Sequence, residues 1–275
     1  MNKLPSRLLS IALLLVLGTI FILPFAWMVS TSLKPLNETM VLPPQWLPSH
    51  PQWKNYPEAM DAMGSFWLYA RNSLLLAVLN VVGTVISSAL VAYGFSRIEW
   101  RGRDNLFLLL LATMMIPFPV IMVPVYTLFR ELGWIGTFKP LWIPAFLGGA
   151  FNVFLLRQFF LGIPRDLTEA ARIDGCSEFR IFWQIILPLA KPALFTVGLF
   201  QFMATWNDFL GPLVFLVRQD QFTLALGLQN YQSMFGGTSW HYLMAASTLV
   251  VLPVIVLFFL TQRTFIRGIS TTGLK

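Results

Sequence analysis

The sequence is poor in charged residues and holds a single cysteine. Only 11% of its 275 residues are charged and 56% are apolar, whereas a soluble domain usually carries about 25% charged residues. This composition excludes a soluble domain. The lone cysteine, Cys176, cannot form an internal disulfide and has no neighbouring set of metal ligands, so we interpret it as a small apolar filler.

Patterns of catalytic and nucleotide-binding residues are also missing. His50 and His241 stand far apart in the sequence, and no carboxylates or cysteines group around them for metal or nucleophilic chemistry. No glycine is followed by lysine, so the sequence lacks the phosphate-binding loop in which Gly-Lys precedes Ser or Thr. We therefore predict no enzyme and no metal site, and the chain cannot itself be an ATP-driven motor.

Long apolar segments are the main feature that the sequence does have. A helix crosses the ~30 Å hydrocarbon core in roughly 20 residues at about 1.5 Å per residue, whereas barrel strands are about half as long and alternate. We predict an all-α, polytopic membrane protein with six transmembrane helices in a single domain over residues 1–275. The first segment is too long for a secretory signal and lacks a cleavage site, so we expect it to be retained. The six segments are 8–33, 72–96, 105–129, 140–156, 192–217 and 242–262.

The distribution of Lys and Arg predicts how these helices are oriented. Thirteen of the nineteen basic residues lie in segments that face the cytoplasm if the N-terminus does. Because cytoplasmic loops carry the basic excess, we expect both termini in the cytoplasm. The net charge of +7 is then a topology signal and does not indicate nucleic-acid binding. The outer segment 34–71 is rich in proline and tryptophan, which favours an interfacial cap over the alternative of a ligand site.

The longest predicted cytoplasmic segment, at about 157–191, contains a short helix signal. Asp166 is followed three residues later by Glu169, as in a capping box, and Gly175 suits the left-handed position just past a helix end. We predict a helix of about eight residues over Leu167–Asp174. So short a helix is marginal in water by itself and needs an external contact.

Small and charged residues on this helix indicate what that contact could be. Ala170 and Ala171 lack bulk, so another surface can approach the backbone closely. Glu169, Arg172 and Asp174 offer charge around the contact. An ordinary solvated loop is the alternative that these residues leave open. After the glycine, the apolar segment 177–187 is consistent with lying along the membrane face or packing on the bundle.

The same residues carry a family resemblance. Glu169-Ala170-Ala171, followed at the expected spacing by Gly175 and by Ile185-x-Leu187-Pro188, resembles the EAA motif of permease subunits in ABC-type importers. The sequence from Trp206 to Leu213, WNDFLGPL, resembles a fifth-helix motif of the carbohydrate branch. Together with Asn55-Tyr56 and the tail 267–275, the likeness covers nearly the whole chain and is closest to the smaller, six-span subunit of maltose-type transporters.

The resemblance implies a fold, partners and a role for the short helix. It implies a type I ABC importer permease fold in a bacterial plasma (inner) membrane, with no cofactor in this chain and with ATP and Mg bound by partner ATPase subunits. The implied partners are a second homologous permease subunit, two ATPase subunits, an extracytoplasmic solute-binding protein and membrane lipid, without nucleic acid. In this family the short helix is the coupling helix, which sits in a groove of the ATPase. The residues assigned to ATPase coupling are Glu169, Ala170, Ala171, Asp174 and Gly175.

Asp208 is the one charge that interrupts the fifth apolar segment. An ionisable group in a span costs about 2.5 to 3.5 kcal/mol on insertion scales and usually faces a bundle interior or a water-filled path. With Trp206 and Asn207 it offers hydrogen-bonding groups beside an aromatic face, which suits a sugar, so we expect these three residues to line a translocation path. The alternatives are that Asp208 snorkels at the outer boundary and that the partner permease makes most solute contacts.

The leading hypothesis is therefore a membrane-spanning subunit of an ATP-driven sugar importer. A stand-alone secondary transporter is the alternative, although it is expected to show internal repeats and several buried ionisable groups, and the sequence shows no repeat. An intramembrane enzyme is a third class that the missing catalytic constellation disfavours. Which sugar is carried does not follow from the sequence.

Overall fold

The computed structural model describes residues 4–232 and 237–272, with side chains described for 9–232 and 237–262. Helices and turns account for the secondary structure of these residues. Four helical segments are long and apolar enough to cross a membrane, and two bent helix pairs pass the same test together. Counting each bent pair as one span gives six, in agreement with the predicted all-α, six-span architecture. The four unbent segments are Leu9–Ser32, Phe66–Ser96, Lys139–Leu161 and Trp240–Gln262.

The third span is not the continuous helix that its hydropathy predicts. It consists of Arg103–Thr113 and Phe118–Glu131, bent by 98°. Pro117 stands just before the second helix in an extended conformation. The first helix cannot continue through this position, because proline lacks the N–H that a helical hydrogen bond needs and disfavours helical angles at the residue before it. The span is thus broken at Pro117.

The fourth and fifth spans also contain irregular backbone. Within Lys139–Leu161, a 3-10 turn at Ile143–Leu147 and Gly148 at φ +82° separate two α-helical parts. In the fifth span, Lys191–Trp206 ends shortly before a second helix, Leu210–Phe215. Glu178–Leu189 precedes Lys191–Trp206 and is bent from it by 79°.

The chain divides into two compact units. One consists of Met1–Phe66 and Gly227–Leu257, and the other of Trp67–Leu226 and Phe258–Lys275. In the first unit, the Tyr242 hydroxyl lies 2.8 Å from the Glu58 carboxylate, and the Asn230 side chain donates to the Met63 carbonyl at 3.2 Å. The single permease domain expected over residues 1–275 stays a prediction.

The apolar core of the second unit lies under the predicted cytoplasmic segment. Its members come from the second, fourth and fifth spans, from the short helix and from the segment that follows it. The short helix and the bent helix after it are therefore anchored on the spans. The fully buried members are Ala92, Val153, Leu156, Phe160, Ile181, Ile186, Ala190 and Val197.

Candidate functional site

The short helix in the charged segment forms within one residue of its predicted bounds, at Asp166–Ile173. The expected capping box is absent. Arg165 stands at the N-cap position with helical angles and no side-chain cap, so Asp166 already lies inside the helix and cannot cap it. Thr168 instead donates its hydroxyl to the Arg165 carbonyl at 2.8 Å. Asp166 and Glu169 still place negative charge in the first turn, where the helix dipole favours it.

The C-terminal end of this helix follows the sequence prediction. Gly175 has φ +78°, the left-handed conformation that glycine adopts without a Cβ penalty. Its N–H donates to the Arg172 carbonyl at 3.0 Å, and the Cys176 N–H donates to the Ala171 carbonyl at 2.9 Å. This pair of bonds is a Schellman motif, which satisfies carbonyls that the helix end would otherwise leave open.

The two faces of the helix differ in burial. Thr168 and Ala171 are buried in the second unit, whereas Glu169, Ala170 and Asp174 are exposed. Ala170 therefore faces outward and Ala171 packs on the core, and the assignment of both to ATPase coupling stays a prediction. The face that carries Ala170 also exposes 87% of the apolar side chain of Ile173, a feature that the motif did not single out.

The apolar segment after Gly175 packs on the bundle with one side only. Ile181 and Ile186 are fully buried, and Ser177 caps the start of the helix by accepting the Arg180 N–H at 3.4 Å. Phe179 and Trp183 stack on each other 6.4 Å apart and are largely exposed. The segment thus packs on the bundle as one of its two predicted arrangements requires, and contact of its exposed side with the membrane stays a prediction.

A cavity of about 270 Å³, lined by both polar and apolar side chains, lies in the second unit beside the break in the fifth span. Asp208 lines it, together with Asn80 of the second span and Gln201 and Thr205 of the fifth. Sequence reasoning missed these three partners, although the spacing of 201, 205 and 208 is that of one helix face. Hydrogen-bonding side chains from two spans can hold water or hydroxyl groups there.

The other two residues predicted for a translocation path do not line this cavity. Trp206 is buried and stacks on Phe202 at 5.3 Å. Asn207 is exposed and donates its side-chain N–H to the Met203 carbonyl at 2.8 Å. The structure therefore brings only Asp208 to the cavity, with Trp206 and Asn207 flanking it.

Asp208 also has a structural role that its sequence context did not indicate. Its carboxylate accepts the Gly211 N–H at 3.0 Å, in the first turn of Leu210–Phe215. A Cβ on Gly211 would overlap this carboxylate. The aspartate thus satisfies a backbone donor where the span is broken, which is how irregular backbone is tolerated at membrane depth.

Comparison with known proteins identifies the family. Residues 83–271 match the family described as "Binding-protein-dependent transport system inner membrane component". The chain is 34% identical over 263 residues to the arabinooligosaccharides transport system permease protein AraQ of Bacillus subtilis, covering 95% of this chain and 93% of the relative. It is 31% identical over 272 residues to the trehalose/maltose transport system permease protein MalG of Thermococcus litoralis, covering 98% and 97%.

A solved structure supports the fold. The chain matches one from a bacterial ABC transporter involved in the import of the acidic polysaccharide alginate, with a TM-score of 0.82, 24% identity, and coverage of 95% of this chain and 96% of that one. Within the described residues, no group of three His, Cys, Asp or Glu residues is placed to hold a metal ion.

These similarities confirm the resemblance to permease subunits of carbohydrate ABC importers. They identify a multi-pass plasma-membrane subunit that is not an enzyme, and they decide against a stand-alone secondary transporter. The chain belongs to the family of inner membrane components of binding-protein-dependent transport systems.

Proposed function

We propose that this chain forms one half of the translocation path of an ATP-driven importer for a sugar or sugar derivative. The relatives are named for arabinooligosaccharides and for trehalose and maltose, and the matched structure for alginate. These substrates are all carbohydrates but differ in size and charge. They support the class of solute and leave the individual sugar open.

The importer also needs subunits that this chain does not supply. A second homologous permease completes the path, two ATPase subunits bind ATP and Mg, and an extracytoplasmic protein delivers the solute. The family description, which names dependence on a binding protein, supports the last of these. Both termini and the segment 157–191 face the cytoplasm, where the segment can contact the ATPase subunits.

The observation that carries the proposal is the two-sided helix Asp166–Ile173. Thr168 and Ala171 hold it on the core, while Glu169, Ala170 and Ile173 stay exposed. The exposed side of this helix is acidic and apolar, and its buried side packs on the spans. It is suited to sit in a groove of the ATPase and to move with it, and Asp174 and Gly175 form its end.

The solute path in this subunit runs past Asp208. The cavity that Asp208, Asn80, Gln201 and Thr205 line offers hydrogen-bonding groups of the kind that sugar hydroxyls need. Trp206 and Asn207 lie next to the cavity, where the fifth span is broken, and we include them in the proposed path.

Copurification tests the assembly. When the protein is isolated from its native membrane in mild detergent, we expect an ATPase and a second permease to accompany it in stable amounts. Isolation of the chain alone, with neither partner, would contradict the proposal.

A charge reversal on the exposed face tests the coupling helix. Glu169→Lys is expected to abolish most ATPase copurification or to uncouple hydrolysis from transport. The change puts a positive charge at a position where the ATPase groove is proposed to contact a carboxylate. The protein itself should remain in the membrane, since the Glu169 side chain is exposed and makes no hydrogen bond in the described part of the chain. Glu131→Lys, an exposed acid at the end of the third span, is the control that should leave copurification unchanged.

A further inference from the structure

Glu178 lies between the coupling helix Asp166–Ile173 and the second span. Its Oε1 accepts a hydrogen bond from Arg172 Nε at 2.7 Å, and its Oε2 accepts one from the Tyr93 hydroxyl at 2.5 Å. Arg172 belongs to the coupling helix, and Tyr93 belongs to the helix Phe66–Ser96. A single carboxylate therefore connects the helix proposed to meet the ATPase with a helix that crosses the membrane.

The Tyr93 end of this connection is buried, whereas Arg172 and Glu178 are partly exposed, with 41% and 43% of their side chains accessible. Tyr93 is buried, and its ring lies 5.1 Å from that of Phe182, so its hydroxyl has a fixed direction. Arg172 also donates to the Arg97 carbonyl, just past the end of the same span, at 3.5 Å. The bond to Glu178 raises the pKa of the Arg172 guanidinium, which keeps it charged. Each of these hydrogen bonds has at least one charged partner, and such bonds are stronger than bonds between neutral groups.

The apolar contact beside it has a different character. Ala171 packs on the core through a methyl group, a contact that holds the helix down but is less directional than a hydrogen bond. Hydrogen bonds weaken steeply when their angles change, so the two bonds of Glu178 fix the helix relative to the span. A movement of the coupling helix then has to move the span or break these bonds.

The second span also reaches the cavity. Asn80, which lines it, is in the same helix as Tyr93 and thirteen residues before it, which corresponds to about 20 Å along the axis. A helix is rigid over this distance, so a displacement at Tyr93 reaches the cavity wall.

We propose that Glu178 is a positioning residue that, bonded to Arg172 and Tyr93 together, passes the movement of the coupling helix to the second span and so to the cavity. The inference rests on the proposed coupling role of Asp166–Ile173. It assigns the transmission to three residues outside the Glu-Ala-Ala signature, and it predicts that loss of either bond separates ATP-driven movement from opening or closing of the cavity.

The test measures cavity access in the assembled transporter, without a solute. Cys176→Ala removes the native cysteine, and Ala204→Cys places a reporter on the cavity lining. The rate of labelling by N-ethylmaleimide is compared without nucleotide and after trapping with ATP and vanadate. The ratio of the two rates reports whether a change at the ATPase reaches the cavity.

Two conservative variants are paired with matched controls. Tyr93→Phe removes one hydroxyl, and its control is Tyr69→Phe in the same helix, where the buried hydroxyl finds no hydrogen-bond partner among the described residues. Glu178→Gln removes one charge from an ion pair, and its control is Asp220→Asn, which removes the charge from the 2.6 Å pair with Arg218. Copurified ATPase is quantified for every variant.

We expect Tyr93→Phe and Glu178→Gln to assemble and hydrolyse ATP, but to lower the nucleotide-dependent ratio roughly tenfold, the scale of one hydrogen bond to a charged group. The double variant should be no worse than the singles, because both act through one connection. An unchanged ratio in either variant, or an equal loss in the controls, overturns the inference. If the unmodified transporter shows no nucleotide effect or no ATPase, the proposed function fails instead.

Discussion

Asn55 shows how a single side chain can close the end of a membrane helix. The helix that contains the first span ends at Ser32, so its last carbonyls have no intrahelical partner. The Asn55 side chain donates to the carbonyl of Ser32 at 2.8 Å and to that of Lys34 at 2.9 Å. Tyr56, the next residue, lies 2.9 Å from the Ser32 hydroxyl. The Asn-Tyr pair is thus a cap for the preceding helix.

Removing this cap should destabilise the protein. Asn55 is buried, so Asn55→Ala leaves two carbonyls without donors and is expected to cost about 1 to 3 kcal/mol in the free energy of unfolding. Asn55→Asp should cost at least as much, because a carboxylate accepts hydrogen bonds and cannot donate the missing ones. Thermal unfolding in detergent measures the effect, and Asn105→Ala, at an exposed helical position, is the control. Equal losses for Asn55→Ala and Asn105→Ala would contradict this role.

Other single residues divide into those that the sequence could predict and those that it could not. Gly175 was predictable, since a left-handed helix end depends on local backbone preferences. The failure of Asp166 as a cap was not, because it depends on the helical angles of Arg165. The capping bond from Gly211 to Asp208 was also hidden, since hydropathy shows a charge in a span without showing that the helix breaks there.

At the scale of elements, the second span supplies the hydrogen bonds that the broken fourth span lacks. The Asn80 side chain donates to the Leu141 carbonyl at 2.9 Å, and the Ser87 hydroxyl donates to the Ala145 carbonyl at 3.0 Å. Leu141 lies in the short helix Lys139–Trp142, which is too short to pair its own carbonyls, and Ala145 lies in the 3-10 turn that follows it. Such unpaired backbone groups are tolerated at membrane depth only where partners like these exist. Polar residues of the largely apolar second span therefore donate hydrogen bonds to the backbone of the fourth span.

Close approach of the same two elements depends on Gly83. A Cβ at this position would overlap the ring of Phe146, whereas a Cβ on Gly94 in the same helix would meet nothing within 4 Å. Gly83→Ala is expected to destabilise the protein by about 1 to 3 kcal/mol through overpacking. Gly94→Ala should be neutral or stabilising by up to about 1 kcal/mol, since alanine is the better helix former.

Thermal unfolding of the two glycine variants, measured side by side, separates packing from helix propensity. Phe146→Leu should recover part of the stability lost in Gly83→Ala, because the smaller side chain vacates the space. A Gly83→Ala protein as stable as Gly94→Ala would show that the ring moves aside at no cost.

The sequence predicted the existence of most elements and missed their interruptions. Six apolar segments are enough to predict six spans, because length and hydropathy decide whether a helix can cross the membrane. The turn at Ile143–Leu147 depends on which neighbours donate hydrogen bonds to the carbonyls that the helix leaves open. Those partners, such as Asn80 and Ser87, lie about 60 residues away.

At the scale of the whole molecule, the arrangement of basic residues makes a prediction about sidedness. If both termini are cytoplasmic, the loop after the second span, with Arg97, Arg101 and Arg103, faces inward, and the segment 34–54 faces outward. Glu99 and Leu47 are well exposed in these two segments, with 78% of the side chain accessible in each case. They are suitable reporters of the two sides.

Cysteine labelling with a membrane-impermeant maleimide measures this sidedness. In a Cys176→Ala background, Leu47→Cys should be labelled on intact spheroplasts, and Glu99→Cys should be labelled only in inverted vesicles. The Cys176→Ala protein without a new cysteine sets the background, and a permeant maleimide should reach both positions. The reverse pattern would put the coupling helix on the outer side, where no ATPase has access, and would remove the basis for coupling through Glu169 and Glu178 alike.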